Sequence, residues 1–393
     1  MMQTWWKNAF CLGAFAILPV AVVSSQGLTL LLVLTGLGAL IAGDLKGRRS
    51  ITAVPILLGS GVAWGALTSL WAVAPKDALG LAGSLAVLFI IIVLLMDRAQ
   101  SITTSQRTVI GTMLIAGFGV GVALLGLELV ADLPLAKLVR GPRLGQDNLE
   151  LSLLNPALTV LMLMAWPVGF VVWQRWKRAA ILVLIAVTVL VWLGSSVTAW
   201  IAMVAGAGAF ALIALFGRRG ATGLGFAAAV AVLAAPMIAQ VVTPDRVEQI
   251  LEGVRPSAIH RIYTWEFTAD RIAEHPFVGW GLDSSRAIPG GQALVVENGQ
   301  AVSLHPHNAA LQIWLELGLP GAAILAVLLS VIARGIANLP RTAMAPAAAS
   351  FVTAIVFSSL SFGIWQNWWV AALGLAAIIC LVVFDGPLPE KIP

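Results

Sequence analysis

Leu304-His305-Pro306-His307-Asn308-Ala309-Ala310-Leu311-Gln312-Ile313-Trp314-Leu315-Glu316-Leu317-Gly318-Leu319-Pro320-Gly321 is where the longest polar stretch of the chain, residues 243–308, runs into an apolar helix. All four histidines, His260, His275, His305 and His307, lie in that polar stretch. Histidine is the side chain best suited to proton transfer near neutral pH, so the chemistry is expected at the mouth of this helix. Asn308 is placed to cap it, its side-chain oxygen accepting an N–H that the first turn leaves unpaired. Glu316 falls about two turns inside. An ionisable group there is costly and often functional; the other reading puts it near the interface, still solvated.

Outward from this junction the chain is apolar almost everywhere: 60% hydrophobic and 10% charged residues, with a mean hydropathy of +0.96. Such a composition excludes an ordinary soluble domain. A membrane-crossing helix needs about 20 apolar residues, and candidate segments fall near 8–25, 27–43, 51–71, 77–96, 108–131, 156–173, 180–195, 198–216, 223–243, 309–333, 345–362 and 366–385. The expected fold is all-α and integral to the membrane, with about twelve transmembrane helices. Residues 1–242 carry helices 1–9, 243–308 form one large helical loop, 309–386 carry helices 10–12, and 387–393 are a cytoplasmic tail. Lys7 before the first apolar stretch resembles a signal peptide, but no convincing small-residue cleavage site follows, and the segment reads as an uncleaved helix.

Orientation follows from Lys and Arg. With a cytoplasmic N-terminus the inside loops hold fourteen of them and the outside loops nine, five of these in the long loop, where the rule has little force. The long loop is therefore expected outside the cytoplasm. The net charge of +5 reflects the cytoplasmic anchors and is no argument for nucleic acid as a partner. Trp5, Trp6, Trp173, Trp176, Trp365, Trp368 and Trp369 sit at span ends, as an interfacial aromatic belt would place them. Cys11 and Cys380 lie in apolar spans and point to neither a disulfide nor a metal site.

Two outside segments stand out by length, 132–155 and 243–308. In the first, Arg140 and Arg143 flank Gly141-Pro142, a turn that would hold two guanidiniums close together. A solvated turn and an anion contact are equally good readings. In the second, Asp245–Val254 suits a short helix, and Pro256 opens another. Its apolar stripe is Ile259, Ile262, Trp265, Ala269 and Ile272, and it ends before Pro276. Phe277-Val278-Gly279-Trp280-Gly281 reads as a turn and 284–303 as loop.

Arginine presents a planar fork of donors that matches phosphate oxygens and keeps its charge at any working pH. Arg261, Arg255, Arg140 and Arg143 are the outside candidates. A neutral histidine beside such a site can deprotonate an attacking sugar hydroxyl. Together they suggest glycosyl transfer from a polyprenyl diphosphate, whose leaving charge arginines stabilise without requiring a metal or other cofactor. Against this stand plainer readings: His307 as a structural hydrogen-bonding residue, His275 as a helix-end residue, and the His305/His307 pair as a weak metal motif lacking a clear third ligand.

The residues resemble the O-antigen ligase and O-antigen polymerase superfamily. His307-Asn308, nine residues, then Gly318 and Gly321 in a G-x-x-G fit the ligase pattern, and Leu311–Gly321 looks like the family's helix at that place. Upstream, Arg261 to Trp265, Glu274-His275-Pro276 and Gly279-Trp280-Gly281 are similar to its loop segment. The likeness is specific over about residues 255–325 and architectural elsewhere.

The resemblance implies an enzyme of the bacterial inner membrane whose site faces the periplasm. It would move a glycan from undecaprenyl diphosphate to an acceptor such as lipid A-core, without cofactor. His307 would be the catalytic base and Arg261 a donor diphosphate contact, with Arg140, Arg143 and Arg255 as further diphosphate candidates and His305, Asn308, Glu316, Gly318 and Gly321 in support. One departure is plain: Ser195-Ser196-Val197-Thr198-Ala199-Trp200 lacks the family's arginine near the start of the next helix, and Arg140 or Arg143 is the candidate to replace it. A polymerase of O-antigen or exopolysaccharide is the nearest alternative, and the G-x-x-G favours a ligase over it. A lipid-linked glycan transporter or a non-catalytic binding protein represents a different class.

Overall fold

The computed structural model describes residues 5–41, 53–144, 150–247, 256–296 and 299–385. The described elements are α1 (Trp5–Val23), α2 (Gly27–Ile41), α3 (Ala53–Thr68), α4 (Pro75–Ala99), α5 (Thr104–Val130), α6 (Pro134–Leu144), α7 (Asn155–Arg175), α8 (Ala179–Leu193), α9 (Val197–Val241), α10 (Pro244–Val247), α11 (Pro256–Glu274), one hairpin of β1 (Leu294–Val296) with β2 (Gly299–Gln300), α12 (Ala309–Ala337), α13 (Arg341–Leu360) and α14 (Asn367–Phe384). Among the described residues seven helices, α4, α5, α7, α9, α12, α13 and α14, are long and apolar enough to cross a membrane. The apolar α1, α2, α3 and α8 are shorter. Leu182, Leu215, Phe226 and Met237 stand well exposed on outer helix faces. Water would drive such surfaces together, whereas lipid tails solvate them, so the fold is that of a multi-pass membrane protein.

The centre of the bundle is α7, in which every residue from Ala157 to Met164 is buried. In a bilayer an apolar helix can face lipid, so the enclosure of α7 comes from the helices packed around it, α5, α8 and α13 foremost. Helices meet where side chains are small, because lipid supplies no hydrophobic push and close packing must do the work. At the crossing of α1 and α5, a Cβ on Gly117 would lie 1.9 Å from the Phe15 carbonyl oxygen. Likewise, one on Gly225 of α9 would lie 2.5 Å from the Ala333 Cβ of α12.

The segments expected at 198–216 and 223–243 stand as two helices that meet at Gly217 (φ 55°, ψ −131°) within the continuous α9. Several local expectations need correcting. Arg140 and Arg143 do not flank a turn: α6 runs on through Gly141-Pro142. Its start is fixed by the fully buried Glu128, whose carboxylate accepts the N–H groups of Leu135 (2.5 Å) and Ala136 (3.0 Å). Two N–H groups left over by the helix geometry are thereby satisfied, which promotes helix where composition suggested a turn. The stretch 284–303 is not all loop, holding a 3-10 turn at Ser284–Ala287 and the β1–β2 hairpin. Trp368 and Trp369 face inward, 5% and 0% exposed, with Phe362 packed against both at 4.6 and 5.4 Å between ring centroids. Trp173 and Trp176 are exposed at span ends, while the side chains of Trp5 and Trp6 lie outside the described residues. Of the helix expected over Asp245–Val254, Pro244–Val247 is seen as α10; residues 248–255 lie outside the described residues.

Candidate functional site

α11 begins at Pro256 and ends before His275-Pro276, as its sequence dictates. Its apolar stripe does not face lipid. Ala269 and Ile272 pack with Ala235 and Ala239 of α9 and with Leu311 and Leu315 of α12, making the helix a cap over the bundle. Two turns before the end of that stripe, the Trp265 indole N–H donates to the Pro306 carbonyl (3.0 Å), tying α11 to the His305-Pro306-His307 strand. His260 holds the hairpin, its Nε2 at 2.7 Å from the Gln300 carbonyl. His275 ends α11 and stacks edge-on against Trp280 at 4.4 Å.

The polar strand enters α12 through Asn308, whose side-chain oxygen accepts the Leu311 N–H (3.1 Å), the cap expected from sequence. Further along, α12 is broken at Gly318 (φ 63°, ψ −159°). Pro320 has no N–H, so the carbonyl of Glu316, four residues earlier, loses its helical partner. The Pro276–Gly281 turn fills the gap: Trp280 N–H donates to Leu315 O (2.8 Å) and Gly281 N–H to Glu316 O (2.9 Å), while Leu319 N–H donates to Pro276 O (3.0 Å). Two backbones can lie this close only without side chains. A Cβ on Gly279 would sit 2.5 Å from the Glu316 carbonyl, and one on Gly318 2.6 Å from the Phe277 oxygen. Both glycines also adopt positive φ. The G-x-x-G therefore builds the site rather than touching a ligand. The Trp64 indole from α3 closes the break, donating to Leu317 O at 2.8 Å.

Glu316 is completely buried, not solvated near an interface. Its Oε1 accepts from the Ser285 hydroxyl and from Gln312 Nε2 (3.0 Å), and its Oε2 from the Asp283 N–H (2.8 Å) and the Trp365 indole (2.6 Å). With four donors its lone pairs are occupied, so the carboxylate joins the 283–285 turn, α12 and the α13–α14 connection. Gln312, one turn earlier, accepts the Ile364 N–H on its Oε1 (3.0 Å). Sequence reasoning passed over Gln312, Ser285 and Trp365, since only the fold brings them to Glu316.

That same α13–α14 connection fixes His307. The His307 Nδ1 lies 2.7 Å from the Ser361 carbonyl oxygen. A carbonyl can only accept, so Nδ1 carries the proton and Nε2 keeps its lone pair. Among the described residues Nε2 has no hydrogen-bond partner. Burial lowers the His307 pKa, opposed by the Ser361 bond and reinforced by the charges of Arg261 and His260; at neutral pH the ring is an uncharged base. Its backbone sits at φ 54°, unusual for a residue other than glycine and a form of strain often kept at functional positions. His305 stacks on it at 4.3 Å between centroids, and His305 Nδ1 accepts the His307 N–H (3.2 Å). Burial and the neighbouring His307 and Arg286 push His305 down to about 3, so it too is neutral. No third His, Cys, Asp or Glu joins this pair as a metal-binding group among the described residues.

Arg261 lies one turn from Trp265 on α11 and acts electrostatically on His307. Its guanidinium is largely desolvated, which lowers its pKa, and has no carboxylate partner among the described residues. Arg140 is engaged elsewhere: it donates to the Leu153 carbonyl (3.2 Å) from a helix packed on α1 and α5. Arg143 belongs to α6 with its side chain outside the described residues, and Arg255 lies outside them altogether.

Two cavities flank the strand. An apolar groove of about 250 Å³ runs along α9 from Val242 to Ala228, walled by Ala235, Leu329 and Ile355 and reaching Trp265 and Asn308 at its head. On the other side a polar crevice of about 10 Å³, room for about one water molecule, is lined by Asp283, Arg286, His305, Trp365 and Gln366.

Residues 181–326, which hold this site apart from Trp64 of α3, part of the groove wall and the α13–α14 connection, match the family model described as O-antigen ligase. A Rickettsia conorii (strain ATCC VR-613 / Malish 7) protein named as a candidate polysaccharide ligase is 33% identical over 157 residues, 39% of this chain and 38% of that protein. A Rickettsia typhi (strain ATCC VR-144 / Wilmington) protein of the same description is 27% identical over 234 residues, 58% of each. The matches thus span between about two fifths and three fifths of these relatives' lengths. From α8 to the break in α12 and just beyond, with His305-Pro306-His307 inside it, the chain is similar to the O-antigen ligase family.

Proposed function

We propose that the protein is an O-antigen ligase-type glycosyltransferase of the bacterial inner membrane. Its site faces the periplasm and moves a glycan from undecaprenyl diphosphate to a hydroxyl of an acceptor sugar such as lipid A-core. The observation that carries the reading is His307: a neutral imidazole with Nδ1 fixed by Ser361 and, among the described residues, Nε2 without a hydrogen-bond partner and a desolvated Arg261 without a carboxylate partner within electrostatic reach.

The acceptor hydroxyl gives its proton to His307 Nε2 as its oxygen attacks the anomeric carbon of the donor. The bond from that carbon to the diphosphate oxygen breaks, and the leaving diphosphate takes the electron pair. Arg261 receives the growing charge with its guanidinium fork. The proton then passes from His307 to solvent, restoring the base. The apolar groove seats the polyprenyl tail; it extends roughly 20 Å along α9, at 1.5 Å per residue, and its head opens beside His307. Counting α9 twice at its Gly217 break and adding the four shorter apolar helices to the seven long ones supports a reading of twelve crossings. This returns the 243–308 loop to the side opposite a cytoplasmic N-terminus.

Purified protein reconstituted with undecaprenyl-diphosphate glycan and lipid A-core tests the reading, wild type against His307→Ala. Glycan on lipid A-core with wild type only is the expected result. Longer glycans on the polyprenyl carrier would make the protein a polymerase, and full transfer by His307→Ala would remove His307 as the base.

A further inference from the structure

The turn that fills the break in α12 lies deeper than a water-solvated loop belongs. Arg334 and Arg341 are exposed where α12 ends and α13 begins, and Arg218 donates to Asn338 (2.9 Å) between them, so basic side chains mark this end as a membrane face. Measured back from Arg334, a hydrocarbon core of about 30 Å takes up about 20 residues of helix at about 1.5 Å each and reaches Trp314. Leu315, Glu316 and Leu319, which bond the Pro276–Gly281 turn, come after Trp314 and so lie at or inside the edge of the core. The turn also has a direction. Trp280 pairs with Leu315, whereas Pro276 pairs with Leu319, about one helical turn deeper. Phe277 and Val278 stand at this deep end, and both are exposed, Phe277 to 71%.

We propose that Pro276–Gly281 is a re-entrant turn whose tip, Phe277-Val278, is seated among the acyl chains of the bilayer. Two further observations carry this, and neither depends on the reaction the protein performs.

The first is how fully the turn's polar groups are occupied. Irregular backbone is tolerated at membrane depth only where protein satisfies its N–H and C=O groups. Pro276 has no N–H, and its carbonyl accepts from Leu319. Gly279 donates to the His275 carbonyl (3.0 Å) and accepts from the Trp71 indole (3.3 Å). Trp280 donates to Leu315, accepts the Val73 N–H (3.3 Å) and places its own indole N–H on the Arg271 carbonyl (2.8 Å). Gly281 donates to Glu316 and accepts the Ser284 N–H (3.2 Å). In water, solvent would serve these groups; here the α3–α4 connection and α12 do so.

The second is what surrounds the tip. Leu319 beside Pro276, and Leu70 and Trp71 just past the end of α3, are all exposed. The patch is therefore continuous with the outer faces of two apolar helices, and acyl chains solvate such a surface where water would not. The charges leading into the turn are matched: Glu274 pairs with Arg271 at 2.8 Å, and the His275 ring lies edge-on against Trp280 at 4.4 Å. Seated in this way, the turn ties the end of α11 and the broken start of α12 to the bilayer surface.

Spin labels test the seat. Phe277→Cys and Val278→Cys, each in a Cys11→Ser, Cys380→Ser background, are labelled and reconstituted full length in phospholipid vesicles. Ser303→Cys, exposed in the polar loop, is the reference. Collision with oxygen, which concentrates among acyl chains, is compared with collision with a water-soluble nickel chelate. At 277 and 278, oxygen collisions severalfold above those at 303 and nickel collisions severalfold below them are the expected result. Nickel access equal to that at 303 would put the tip in water. Access to neither reagent would put it against protein, whether a second copy or another chain. Either outcome overturns the lipid seat. Both side chains are exposed, so the substitutions remove little packing, and each labelled protein should keep the thermal midpoint of its background.

Discussion

At the scale of single residues, one hydrogen bond sets the tautomer of His307. Sequence placed it beside a helix start and left a structural role open; the Ser361 carbonyl at 2.7 Å assigns the proton to Nδ1 and leaves Nε2 with its lone pair, the form the proposed base needs. Its pKa is lowered by burial first, and the nearby Arg261 and His260 act in the same direction. A base works only when deprotonated, so a lowered pKa extends activity toward acid. The transfer rate at saturating substrates should stay on its plateau as pH drops below about 6.5, the ordinary histidine value, and fall only at lower pH. An acid limb centred at or above that value would show that His307 is not desolvated as described. Glu316 carries the opposite lesson. Its place in an apolar helix was legible as unusual, but its four partners come from positions 283, 285, 312 and 365, and no local pattern could have named them.

Among the elements, the break in α12 is the decisive one. Gly318 and Pro320 announce it in the sequence, since proline removes a helical donor and glycine accepts positive φ. The sequence does not announce the partner: the Pro276–Gly281 turn, some forty residues earlier by count, whose backbone supplies the missing bonds. Gly279 is the contact point, at φ 69° and with no room for a Cβ. Gly279→Ala should lower the thermal stability of the detergent-solubilised protein by roughly 1–3 kcal/mol or more and remove most transfer activity. Gly335→Ala, on the same helix with nothing near its Cβ position, should change neither. Equal behaviour of the two variants in a thermal unfolding scan would show that the turn and the broken helix are not packed together. α6 repeats the point in reverse: Gly141-Pro142 reads as a turn, yet a buried carboxylate at Glu128, outside the segment, holds its start as helix.

For the whole molecule, alternation of apolar segments and the placing of Lys and Arg predict which face carries the site. Single cysteines introduced as Ser303→Cys and Arg219→Cys, in a Cys11→Ser, Cys380→Ser background, can be probed in intact cells with a membrane-impermeant maleimide. Ser303→Cys should label directly and Arg219→Cys only after permeabilisation; the reverse pattern would invert the topology. The sequence alone determined the class of fold, the polar loop, the helix α11 and the capped start of α12, because hydropathy, proline and capping act over a turn or two of chain. Only the tertiary structure decided that α11 caps the bundle, that Trp368 and Trp369 turn inward, that Arg261 comes within electrostatic reach of His307, and that His307 meets Ser361 and Asp283 meets Glu316. Those are contacts between segments distant in sequence, and their energies depend on which surfaces the packed helices bring together, a quantity that no local pattern encodes.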